Sequence, residues 1–160
     1  MNIDDDVKML MNQQFEVNAV DIFFTKLKIL ENVSDDFLTK CFLAVDSDDL
    51  RYFIVSEIVS RGVHSKEIEC HAKNIFSNFD FENASASQLL VITSASSFAK
   101  KLDDDMLKFL SLCLESGNII IRNSASVSIQ KYLDVKTIDL DWGDEHRDIS
   151  EIGRRLLKLP

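Results

Sequence analysis

The sequence predicts an all-α fold of antiparallel helical hairpins stacked side by side, and three observations carry that expectation. Four Gly and one Pro in 160 residues are too few for the many turns a strand-rich fold needs. Apolar residues recur at helical spacing through most of the chain. The plan of Asp46 to Gly62, DSDDLRYFIVSEIVSRG, also returns in Ser116 to Asp134, SGNIIIRNSASVSIQKYLD. Aligning Arg51 with Arg122 sets Ile54 against Ala125, Ser56 against Val127 and Ile58 against Ile129, a period of 71 residues. That distance is about two hairpins of the ~33–47-residue helical repeats.

In chain order, Asp4 to Gln14 reads as a first helix, with Asp4, Asp5 and Asp6 at the positive end of its dipole. Asn18 caps a second through about Leu30, whose apolar face is Val20, Phe23, Phe24, Leu27 and Leu30. Ser34 caps a third, displaying Phe37, Leu38, Cys41, Phe42 and Val45. Ser47 or Asp48 starts a fourth that ends at Gly62, a natural C-cap. Ser65 caps a fifth with the stripe Ile68, Ala72, Ile75, Phe76 and Phe79. After the polar linker Asp80 to Ala84, a single sixth helix is expected over 85–101, with Val91, Ile92, Ala95, Phe98 and Ala99 inward. Asp103, Asp104 and Asp105 open the seventh, which points Met106, Leu110, Cys113 and Leu114 inward and ends at Gly117; the eighth is the second copy of the repeated plan. From Lys136 to Glu145 the stripe breaks, and the alternation of Ile138, Leu140 and Trp142 suggests an extended segment along the stack. A last helix over 147–159 closes the end, as terminal repeats require. One domain of residues 1–160 results, with 139–160 as extended segment and capping helix.

DSDDLRYFIVSEIV (46–59) and GNIIIRNSASVSIQKYL (117–133) resemble the second helices of HEAT-type repeats, in which an acidic or Asn turn precedes an apolar-Arg pair and a small residue follows. The resemblance covers four hairpins in outline and is specific in two. It implies a short HEAT/ARM-like α-solenoid in which Arg51 and Arg122 bridge neighbouring turns through acidic residues.

Composition narrows the function. The net charge is −9, with −7 of it in residues 1–60 and −2 in residues 61–160. Duplex or single-stranded nucleic acid calls for a basic surface, so direct nucleic-acid binding is not expected. No run is apolar enough for a ~20-residue membrane span, and MNIDDDVK is unlike a signal peptide, so a cytoplasmic protein is expected. Cys41, Cys70 and Cys113 are odd in number and widely spaced, unlike a disulfide framework or structural zinc site. His64, His71 and His146 are scattered, and Cys70 and His71 lie about 100° apart around one helix. No phosphate loop, nucleophile elbow or HExxH occurs. The expectation is a non-enzymatic protein with no cofactor and no metal.

Acidic doublets and triplets fall at helix starts, where capping and the dipole account for one carboxylate each and leave a surplus. The partner-binding candidates are Asp46, Asp48 and Asp49 in the turn before the fourth helix, and Asp139, Asp141, Trp142, Asp144 and Glu145, where Trp142 is either an exposed anchor among the carboxylates or a buried ring that packs the segment down. Together with the second and fourth helices, the first group is expected to face a basic protein. By size, charge and helical make-up the chain resembles, by type, immunity proteins of bacterial contact-dependent growth inhibition systems. That likeness implies a toxin inhibitor whose partner is a basic, nuclease-like toxin domain. Two other classes compete with it. One is an enzyme on the same scaffold, similar to alkylpurine DNA glycosylases, against which the −9 balance argues; the other is a scaffold joining two host-cell proteins.

Overall fold

A computed structural model describes residues 30–45, 48–136 and 147–159, the side chain of Asp49 excepted. The expected first and second helices, except Leu30, and the expected extended segment, except Lys136, lie outside the described residues. Those described form eight helices and no strand. They are α1 (Asp35–Ala44), α2 (Asp48–Arg61), α3 (Lys66–Ser77), α4 (Ala86–Thr93), α5 (Ala95–Phe98), α6 (Asp104–Leu114), α7 (Ile119–Tyr132) and α8 (Ser150–Leu157).

Their ends follow local chemistry. Ser34, Ser65, Ser85 and Asp103 each accept a hydrogen bond from the backbone N–H three residues on, and Gln88 completes a capping box with Ser85. Gly62 adopts φ +66°, and the N–H of Val63 reaches back to Ile58 O at 3.0 Å, so α2 ends in a Schellman turn that suits a residue without Cβ. The same turn ends α7 at Asp134 (φ 52°) and α8 at Lys158 (φ 55°).

Packing runs in series. α2 lies on α4, α4 on α7, and α7 on α8; α1 lies on both α2 and α3, and α6 on α7. Between α3 and α6 the rings of Phe76 and Phe109 meet at 4.6 Å, with Phe79 edge-on to Phe109 at 5.6 Å. Phe42 of α1 stacks on Phe98 of α5 at 5.7 Å. Each of these buried large side chains contributes roughly 1.5–3 kcal/mol by leaving water.

α7 stands among α4, α6 and α8, and its buried residues include Ser124, Ala125, Ser126 and Ser128 as well as Ile121 and Ile129. Small side chains let three neighbours approach one helix, which is why it has no clear apolar stripe. Ala125 is fully buried.

Two helix limits differ from expectation. The sixth expected helix breaks at Ser94 (φ −109°, ψ 20°) into α4 and α5. Ser and Thr are weak helix formers that offer the backbone competing bonds, as Thr93 does by donating to Leu89 O at 2.8 Å. The last helix begins at Ser150 rather than residue 147, because side chains of α7 hold the backbone of Arg147 and Ile149 out of it.

Candidate functional site

The acidic start of α2 is built into the fold. Asp48 Oδ1 accepts a hydrogen bond from Ser85 Oγ at 2.6 Å and another from Ser87 Oγ, and the Ser87 side chain is fully buried. The carboxylate thus fastens the start of α2 to the start of α4. Asp46, Asp139, Asp141, Trp142, Asp144 and Glu145, and the side chain of Asp49, lie outside the described residues.

A second acidic place emerges at the other end of α1. The face of α1, the turn at Gly62 to Ser65 and Lys100 enclose a groove of about 680 Å³. Asp35, Asp36 and Glu67 bring three carboxylates to it, and Lys40, Lys100 and the exposed His64 bring the other titratable groups. The Asp35 and Asp36 side chains are 66% and 72% exposed. Asp36 pairs with Lys40 at 3.0 Å, and Asp35 lies 3.5 Å from Arg61. At this exposure such pairs stabilise little, which leaves the carboxylates available to a partner. Capping of α1 falls to Ser34, so neither aspartate is consumed by it. The surplus of an Asp doublet over one cap was the signal for this place in the sequence; its convergence with Glu67 was not visible there.

Arg61 is committed to structure. It bonds the carbonyls of Leu30 and Val33 (2.7 Å) and the Glu57 carboxylate (2.5 Å), clamping the turn ahead of α1.

The two arginines of the repeated plan play matching parts. Arg51 donates to the carbonyl of Val45 at 2.5 Å, and Arg122 to that of Ser116 at 2.7 Å, each six residues earlier. Arg122 also grips Asp148 Oδ2 through Nε (3.1 Å) and Nη2 (2.7 Å). Burial alone would raise the Asp148 carboxyl, but hydrogen bonds from Ser150 and Arg122 outweigh it and hold the group down at about 2. Beside this ion pair, Asn123 donates to Arg147 O and accepts from Ile149 N–H, both at 2.9 Å. Ser126 Oγ donates to Ile149 O at 2.8 Å and accepts from Gly153 N–H at 3.1 Å.

The remaining reactive side chains are set into packing. His71 is half-buried and edge-on to Phe42 at 5.0 Å; burial, then the nearby Arg51 charge, lowers its basicity. Cys41 and Cys113 are buried, and burial pushes their thiols up to about 11 and about 12, far from a reactive thiolate. Cys70 is exposed. Among the described residues, no three His, Cys, Asp or Glu side chains converge as a metal site. No helix among them is long and apolar enough to cross a membrane. The groove thus carries carboxylates from the first turns of α1 and α3 beside two lysines.

No known family model, no curated protein and no solved structure matches the chain.

Proposed function

We propose that this chain is a non-enzymatic binding module for a basic protein, acting as an immunity protein that neutralises a cationic, nuclease-type toxin. The observation that carries the reading is the surplus of acid in the chain, a net charge of −9, with Asp35, Asp36 and Glu67 exposed at helix starts on one groove beside Lys40 and Lys100. Complementary charge speeds association, which an antidote requires. Asp46, Asp49, Asp139, Asp141, Asp144 and Glu145 are further candidate contacts in this reading, whereas Asp48 serves the fold through Ser85 and Ser87.

The scaffold in this reading is a short HEAT/ARM-like solenoid. Its supports are the serial packing of α2, α4, α7 and α8, the Schellman ends of α2 and α7, and the identical reach of Arg51 and Arg122 to a carbonyl six residues back. A row of helix starts along a stack presents a continuous edge to a partner.

Co-expression with the product of the neighbouring reading frame, followed by affinity purification, tests the proposal. A basic protein retained with the chain, and losing its toxicity in the complex, is the expected result. Should neither that product nor any other basic protein be retained, the proposal fails.

A further inference from the structure

Four arginines among the described residues are half-buried, and three of them meet a carboxylate: Arg61 that of Glu57, Arg122 that of Asp148 and Arg154 that of Glu115. Arg51 is the exception. Among the described residues its one acceptor is the carbonyl of Val45, and its Nε is buried with no hydrogen-bond partner. A donor of a charged group left unpaired out of water is costly, and native structures seldom keep one without a use for it.

The repeated plan shows what is missing. Arg122 spends Nη1 on the carbonyl six residues back and closes Nε and Nη2 on the Asp148 carboxylate. Arg51 makes the same reach to a carbonyl, and its Nε is left over. At the spacing of 71 residues the position matching Asp148 is Ser77, whose hydroxyl donates to Lys73 O at 2.9 Å and supplies no carboxylate. The first copy of the plan keeps the guanidinium and lacks the acid.

A second basic group stands beside it. His71 of α3 is near enough to Arg51 for that charge, after burial, to lower its basicity, and its ring meets Phe42 edge-on with no hydrogen bond to a described residue. In a chain of net charge −9, two neighbouring nitrogen groups with no acid of the described residues paired to them are a local excess of positive potential. A negative group placed there would favour the charged form of both. Arg51 and His71 are each half-buried, which leaves them surface to be reached by and shelters a charge-assisted hydrogen bond from water.

We propose that Arg51 and His71 form a binding site for a carboxylate carried by a ligand, with the Arg51 guanidinium taking the acid as that of Arg122 takes Asp148. The carboxylate belongs to an Asp or Glu side chain of a partner protein or to a free small acid, which share this chemistry. The site is apart from the acidic groove and does not rest on the reading given to that groove.

The test uses the full chain, isotopically labelled for NMR, with the Arg51 Nε–H signal assigned by its loss in Arg51→Lys. Sodium acetate is titrated in against sodium chloride at constant ionic strength. The Arg51 signal is expected to shift saturably, with half-saturation at about 10 mM or below, while that of Arg122, already closed on Asp148, stays in place. Followed through the His71 ring, Arg51→Lys should weaken binding about tenfold or more, because an ammonium cannot reproduce the guanidinium fork. His71→Gln, which leaves Arg51 intact, should weaken it about threefold or more. Circular dichroism and Tm establish that both variants are folded. Aspartate capped at both ends separates the two sources: binding as tight as that of acetate assigns the site to a protein side chain, and binding weaker by about tenfold or more assigns it to a free acid. An Arg51 signal that stays still, or that moves as far in chloride as in acetate, overturns the proposal, as does undiminished binding by folded Arg51→Lys.

Discussion

Gly153→Ala sets two known effects against each other at one atom. In an exposed helix the change would stabilise by about 1 kcal/mol, because glycine loses more backbone freedom on folding. In α8 the added methyl meets Leu114 Cδ2 at 3.0 Å and Ser126 at 3.2 Å from both Cα and Oγ. Leu114 is fully buried, and the Cα belongs to the backbone of α7, so neither yields readily. Overpacking of this kind costs about 1–3 kcal/mol. Subtracting the helix gain leaves a net destabilisation of about 1 kcal/mol, or a Tm lower by about 2–4 °C for a chain of this size. Urea and thermal unfolding by circular dichroism measure it. A second measurement isolates the cause: in a Leu114→Ala background the same change should cost less, giving a coupling of about 0.5 kcal/mol or more. Stabilisation by Gly153→Ala in the otherwise unaltered chain would refute the close approach of α8 to α7.

Ala125→Leu places a larger side chain at a fully buried position of α7 and should cost about 1–3 kcal/mol; an unchanged Tm would mean that the face is open. Asp48→Lys removes the acceptor of the buried Ser87 hydroxyl and should lower stability by about 1–3 kcal/mol in thermal unfolding. Asp36→Lys, at an exposed site, should leave Tm within about 2 °C. Asp148 is held below its ordinary 3.8, so its contribution to stability is present above that value and is lost as pH falls toward about 2. The stability difference between wild type and Asp148→Asn, followed by urea unfolding from pH 6 to pH 2, should therefore be level above about pH 5 and shrink below it. A difference that stays constant to pH 2 would show that the carboxylate is not gripped by Arg122 and Ser150.

Helical periodicity made the described core legible: Leu38, Phe42, Ile68, Phe76, Val91, Met106 and Leu110 are buried in the elements where their spacing put them. Serine caps at Ser34 and Ser65 and the turn at Gly62 were equally readable, since each depends on neighbours within a few residues. Ser94 was not, because a run of small residues is compatible with a continuous helix and with a break, and long-range packing decides between them. Nor did the sequence distinguish Asp48 from Asp36. Both open helices in acidic doublets, yet one bonds two serines 37 and 39 positions away, and the other faces solvent beside Lys40. The link from Arg122 to Asp148 matches the bridging role that the HEAT resemblance implied for that arginine, whereas Arg51 reaches a carbonyl instead. The bonds that Asn123 and Ser126 make to the start of α8 were not legible, because polar residues on a helix ordinarily mark its solvent side.

The measurement that bears most directly on an acidic module for a basic partner is the association rate of the retained protein as ionic strength is varied. Wild-type chain is compared by stopped flow with the Asp36→Lys, Glu67→Lys double variant, from about 30 to about 300 mM salt, where the screening length shortens from roughly 18 to 6 Å. The wild-type rate is expected to fall steeply with salt, the variant to be slower by about tenfold or more at the lowest salt, and the two to converge at the highest. Rates that are the same for both chains and flat across the salt series would contradict it.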